Sequence, residues 1–93
     1  MTLSQLRGRI DALDRQILRL LNRRAQLALS IGRLKRRRGL PVFDSRREAM
    51  LLRRLQQTPP GPLTPASIGR IFRQILRHSR RLQSAVKPGR RSR

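Results

Sequence analysis

The sequence predicts an all-α fold: three helices per chain, the long first one at the N-terminus, assembled as a homodimer. Three observations carry this expectation. Apolar residues recur at alternating steps of three and four from Leu3 through Leu6, Ile10, Leu13, Ile17 and Leu20, and again at Leu27, Ile31 and Leu34. That spacing keeps one stripe of a 3.6-residue helix apolar. All prolines lie at or after Pro41, so none breaks the first segment. Finally, a helix of about 35 residues is on the order of 50 Å long, whereas a compact domain of this size has a radius of gyration near ~12 Å. Two shorter helices cannot cover such a seam, and a second copy packed antiparallel is the simplest cover.

Each element has its own local reasons. The first helix is expected over about 3–38; Gly8 and Gly32 weaken it by roughly 1 kcal/mol each without breaking it. Gly39 followed by Pro41 is a stop signal. The second helix is expected over about 44–57, where Asp44 or Ser45 can cap it and Ser45 with Glu48 matches a capping box. "TPPGPLTP" then forbids helix and makes a turn. Thr64 as N-cap with Pro65 at the first position opens a third helix over about 65–86. Its expected stripe is Ile68, Phe72 with Ile71, Ile75, Leu82 and Val86, with Ser79 in the seam. Residues 1–87 thus form one helical domain, and 88–93 a basic tail expected to be disordered.

Composition narrows the chemistry. The chain has no cysteine, one histidine (His78) and four carboxylates, so a dedicated metalloenzyme is not expected and no metal ligands are assigned. No segment approaches the roughly 20 apolar residues of a membrane span, and the N-terminus lacks the apolar stretch of a signal peptide, so a cytoplasmic home is the default. The net charge is +20, nearly all arginine. Such a field attracts anions, from nucleic acids to small polycarboxylates.

Polar residues on the apolar faces are the informative positions. Arg24 occupies the seam, and Lys35 lies three turns on and about 20° round the helix, with small Ala28 between them. Both cations point into one narrow slot. Arg7 flanks the start of the same helix, and in an antiparallel dimer that start can reach the partner's middle. Ser79 and Gln83, spaced i and i+4, place two neutral hydrogen-bonding groups on the inner face of the third helix, while Asp44, Arg47 and Glu48 cluster at the first turn of the second. Structural readings compete at each position. Arg24 can snorkel or fix dimer register, Asp44, Ser45 and Glu48 can simply cap, and Ser79 can bond its own backbone.

The joint pattern "LRGRIDALDRQILRLLNRRAQLALSIGRLK", "PVFDSRRE" and "HSRRLQ" resembles the all-helical class of chorismate mutase, from residue 6 to about 86. The resemblance implies an intertwined dimer of three-helix chains whose active sites each take one arginine from the partner. It assigns that role to Arg7 of "L-R-x-x-I-D", a substrate carboxylate to Arg24 of "L-L-x-x-R", and the carboxylate side and ether oxygen to Lys35 of "G-x-x-K". In "D-x-x-R-E", Arg47 becomes a further basic contact and Glu48 accepts from the ring hydroxyl, with Asp44 beside it. In "S-x-x-x-Q", Ser79 falls to a carboxylate region and Gln83 to the ether oxygen. The implied catalytic group is Lys35, Gln83, Arg24 and Glu48, with no cofactor.

The implied reaction, chorismate to prephenate, fits this inventory. It is an intramolecular rearrangement of a dicarboxylate that needs no nucleophile, only a held conformer and fixed cations facing developing negative charge. The chain ends soon after the third helix, so no fused dehydratase or dehydrogenase domain is expected. Two other functions compete. Isochorismate pyruvate lyase shares the fold and much of the cationic site, and "D-x-x-R-E" favours the mutase. A small basic nucleic-acid-binding protein would suit the charge, but Phe43 and Phe72 are the only aromatic residues and the arginines are spread over all three helices. Any nucleic-acid binding is therefore expected to be non-specific and salt-sensitive.

Overall fold

The computed structural model describes residues 1–58 and 61–86. Among these described residues three helices follow in order: α1 (Leu3–Arg38), α2 (Ser45–Gln56) and α3 (Pro65–Ala85). The expected disordered tail at 88–93 lies outside the described residues.

Thr2 opens α1 with a reciprocal capping box. Its hydroxyl accepts from the Gln5 amide at 3.1 Å, and Gln5 Oε1 accepts from the Thr2 amide at 2.9 Å. At the other end Gly39 takes the left-handed conformation, φ 67°, which glycine enters without the steric cost of a Cβ. The next amide, Leu40, donates to Lys35 O at 2.8 Å and closes the turn.

The start of α2 corrects one sequence expectation. Asp44 is the N-cap and accepts from the Arg47 amide at 3.0 Å, while Ser45 is already the first helical residue. Glu48 therefore does not close a capping box with Ser45; its carboxylate pairs with Arg80 on α3. A charged partner across the bundle outcompetes a local backbone amide. Thr64 caps α3 as the Thr64–Pro65 pair requires, accepting from the Ser67 amide at 3.1 Å.

Both α1 and α2 pack against α3. The buried line of α3 runs through Gly69, Leu76 and Ser79 and continues at Val86 just past its end, with Ile68, Phe72, Ile75, Leu82 and Gln83 half-buried. This differs from the expected stripe: Leu76, absent from it, is buried to 6% exposure, whereas Ile71 is 46% exposed. A helix that meets neighbours on two sides needs a wider apolar arc than a single coiled-coil seam, and that arc extends here to Leu76.

The shape is elongated, 59 × 29 × 16 Å with a radius of gyration of 17.0 Å, well above the ~12 Å of a compact chain of this length. The reason is α1, whose N-terminal half projects beyond the other helices with Leu6, Ile10, Leu13 and Ile17 exposed.

Where α1 crosses α3 the backbones nearly touch. A Cβ added at Gly32 would stand 2.8 Å from Gln83 Cα and 3.1 Å from Gln83 O. Backbone cannot swing aside, so the clash outweighs the roughly 1 kcal/mol gain in helix propensity of alanine. Gly32→Ala should therefore destabilise by about 1–2 kcal/mol net, lowering Tm by roughly 5–15 °C at fixed protein concentration. Thermal unfolding followed by circular dichroism checks this, and an unchanged or raised Tm would contradict the crossing geometry.

Candidate active site

The seven polar residues singled out within one chain converge on a single cavity of about 380 Å³. Arg24 and Lys35 come from α1, Asp44, Arg47 and Glu48 from the start of α2, and Ser79 and Gln83 from α3. Leu27, Ile31, Leu51 and Leu76 supply apolar walls between them. Apolar walls with few convergent polar groups, at a volume in the ~300–1,000 Å³ range, are the usual form of a small-molecule site.

Arg24 and Lys35 are each held by groups set elsewhere in the chain. Arg24, half-buried on α1, donates through Nη1 to Ser79 Oγ, and Ser79 in turn donates to Ile75 O at 3.0 Å. Ser79 is itself buried, so the serine fixes the guanidinium on the cavity wall rather than letting it snorkel to solvent. Lys35 donates through Nζ to Val42 O at 2.8 Å, which ties the end of α1 to the segment entering α2. Arg47 and Asp44 are exposed at the mouth, where the Asp44 cap orients the first turn of α2.

Gln83 presents the open valence of the site. Its Oε1 is buried and has no hydrogen-bond partner. An unmet buried polar atom costs about 1–3 kcal/mol, and such groups are retained where a ligand completes them. Rotating the terminal amide exchanges oxygen and nitrogen, so the same position can donate to a ligand acceptor.

Arg7 is the one sequence-predicted residue outside this cavity. It is exposed on the projecting part of α1, about 25 Å along the same helix from Arg24. Arg80 is the residue the sequence reading missed: it lines the cavity from α3 and carries the ion pair to Glu48. One more arginine in a chain whose arginines are spread over all three helices gave no signal; only the fold sets it opposite a carboxylate.

Chemically, the site offers fixed cations, one carboxylate available as an acceptor, and neutral donors within a partly apolar slot. Ser79 is engaged by Arg24 and by its own backbone, with no base beside it to make it a nucleophile. The arrangement suits binding and electrostatic stabilisation of a small polyanion.

Comparison with known proteins gives the same direction. The family model of chorismate mutase type II matches residues 6–84. The chain is 46% identical over 70 residues, 75% of its length, to a bifunctional chorismate mutase/prephenate dehydratase of Neisseria gonorrhoeae, of which it spans only 19%. Among solved structures, chorismate mutase (form II) from Thermus thermophilus superposes with a TM-score of 0.87 at 37% identity, covering 89% of this chain and 94% of that one. Chorismate mutase from Helicobacter pylori in complex with prephenate gives 0.84 at 31%, covering 90% and 91%. A sequence match over nearly the whole chain and a shared three-helix fold agree: this chain belongs to the chorismate mutase type II family.

Proposed function

We propose that this chain is an isomerase that rearranges chorismate to prephenate, acting in aromatic amino-acid biosynthesis as a homodimer. The observation that carries the reading is the cavity: Arg24, Lys35, Arg47, Glu48, Ser79 and Gln83 meet around one apolar-walled slot, the residues that the family motifs assign to substrate. The Helicobacter pylori neighbour, solved with prephenate, supports the same ligand class.

In this reading Arg24, with Ser79 behind it, takes one carboxylate of the substrate, and Arg47 at the mouth adds a second basic contact. Lys35 exchanges Val42 O for the carboxylate side and the ether oxygen. The amide of Gln83 turns its nitrogen to that same ether oxygen. Glu48 accepts from the ring hydroxyl, with Asp44 beside it. Gripping both ends of the molecule selects the compact conformer in which the reacting carbons approach, which removes much of the entropic barrier. As the C–O bond breaks and the C–C bond forms, charge developing on the ether oxygen meets Lys35 and Gln83 already in place. The electron pairs shift within one molecule, so no proton or external group is consumed.

The homodimer rests on the exposed stripe. Ile10, Leu13 and Ile17 are each more than half exposed on the projecting part of α1, and an antiparallel second copy buries them while bringing its Arg7 to this cavity. The net charge of +20 speeds capture of a dianion. Nucleic-acid binding, where it occurs, is a salt-sensitive by-product. Among the described residues no helix is long and apolar enough to cross a membrane, and a cytoplasmic location belongs to this proposal.

The test supplies chorismate and isochorismate separately to the purified dimer. Prephenate from chorismate is the expected product. Salicylate and pyruvate from isochorismate, without prephenate from chorismate, would make the chain a lyase; turnover of neither would remove the enzymatic reading.

A further inference from the structure

Arg80 connects three parts of the fold. Its guanidinium pairs through Nη1 with Glu48 Oε1 on α2, and its Cζ lies 4.9 Å from the centroid of the Phe43 ring in the segment between α1 and α2. The Glu48–Arg80 contact is the only salt bridge among the described residues of a chain with 24 basic side chains. The Arg80 and Glu48 side chains are 32% and 18% exposed, so the pair is partly shielded from solvent and less screened than a surface contact.

We infer that Arg80 is a positioning residue for Glu48. The ion pair occupies Oε1 and leaves Oε2 as the acceptor for a substrate hydroxyl. A free glutamate has three rotatable side-chain bonds and would sample many orientations. Arg80 restricts that freedom through a charge-assisted contact, and the Phe43 ring, with the guanidinium over its face, restricts Arg80 in turn. The order of control is Phe43, then Arg80, then Glu48, then substrate. Arg80 also offsets the carboxylate's charge, which would otherwise oppose entry of a dianion. The neighbouring Arg77 and Arg81 are exposed on α3 and make no such contact. This inference rests on the proposed role of Glu48 toward the ring hydroxyl.

The experiment compares Arg80→Ala, Arg80→Lys, Phe43→Leu, Glu48→Ala and the double variant Arg80→Ala/Glu48→Ala in steady-state turnover of chorismate. Arg80→Ala should raise KM about tenfold and change kcat less than about threefold, since it loosens binding rather than the chemical step. Arg80→Lys should recover most of the loss, and Phe43→Leu should raise KM about two- to threefold. In the Glu48→Ala background, Arg80→Ala should have no further effect, because a residue acting through another is silent once the other is gone. If Arg80→Ala does not fold, Arg80→Lys and Phe43→Leu, each with and without Glu48→Ala, decide the matter by the same dependence on Glu48. Effects that add in full to Glu48→Ala, or altered Tm with unchanged KM, would overturn the positioning role while Glu48 keeps its own. An inert Glu48→Ala would instead overturn the hydroxyl reading, and this inference with it.

Discussion

Arg24→Ala should lower kcat/KM for chorismate by about 10²–10³-fold, in keeping with the ~2–5 kcal/mol lost when one partner of a desolvated, hydrogen-bonded charge pair, here with a substrate carboxylate, is truncated. Arg23→Ala, one residue away, should stay within about twofold. The two arginines share a helix, a charge and a neighbourhood in sequence, but differ in placement. Arg24 is half-buried and bonded to Ser79 across the α1–α3 contact, whereas Arg23 is exposed. The variant should still fold, because Ser79 keeps its bond to Ile75 O and the chain sheds one unit of a large positive charge. Loss of chorismate absorbance measures the rate, with circular dichroism and gel filtration confirming helix content and assembly. Equal activity in the two variants would remove Arg24 from the substrate.

Mixing two inactive variants should restore activity. Arg7→Ala and Arg24→Ala are each expected to be nearly silent alone, since both arginines bind substrate in the proposed site. In a mixed dimer, the Arg7→Ala chain supplies a cavity with Arg24 intact, and its partner supplies an intact Arg7. One of the two sites is then wild type, and random pairing gives about a quarter of wild-type activity. The expectation follows from length: Arg7 sits about 25 Å from Arg24 on one continuous helix and does not line its own chain's cavity. Refolding the variants together from denaturant, beside each alone, provides the measurement. A mixture no more active than its parents would rule out the exchanged arginine.

Much of the fold was legible because its determinants are local. The 3–4 apolar spacing, the Gly39–Pro41 stop and the Thr64–Pro65 start each act within a few residues, and each is realised in the helices. The capping box of α2 was misread for the converse reason. A Ser-x-x-Glu spacing is satisfied at 45–48, but Glu48 lies opposite Arg80, 32 residues away, and takes the stronger partner. The stripe of α3 was read too narrowly rather than misplaced: Ile68, Phe72, Ile75, Ser79, Leu82 and Val86 are buried or half-buried as expected, but only packing on two sides makes Leu76 more buried than Ile71.

By itself, then, the sequence determined three helices, their ends, and the set of polar residues set against apolar faces, because periodicity and capping are written in neighbouring positions. Only the tertiary structure decided which of those residues meet. Arg24 and Ser79 are 55 positions apart, Gly32 reaches Gln83 through backbone contact, and Arg80, one arginine among many in sequence, enters the cavity from α3. Such pairings depend on how helices cross, and a crossing is fixed by the joint packing of all three helices.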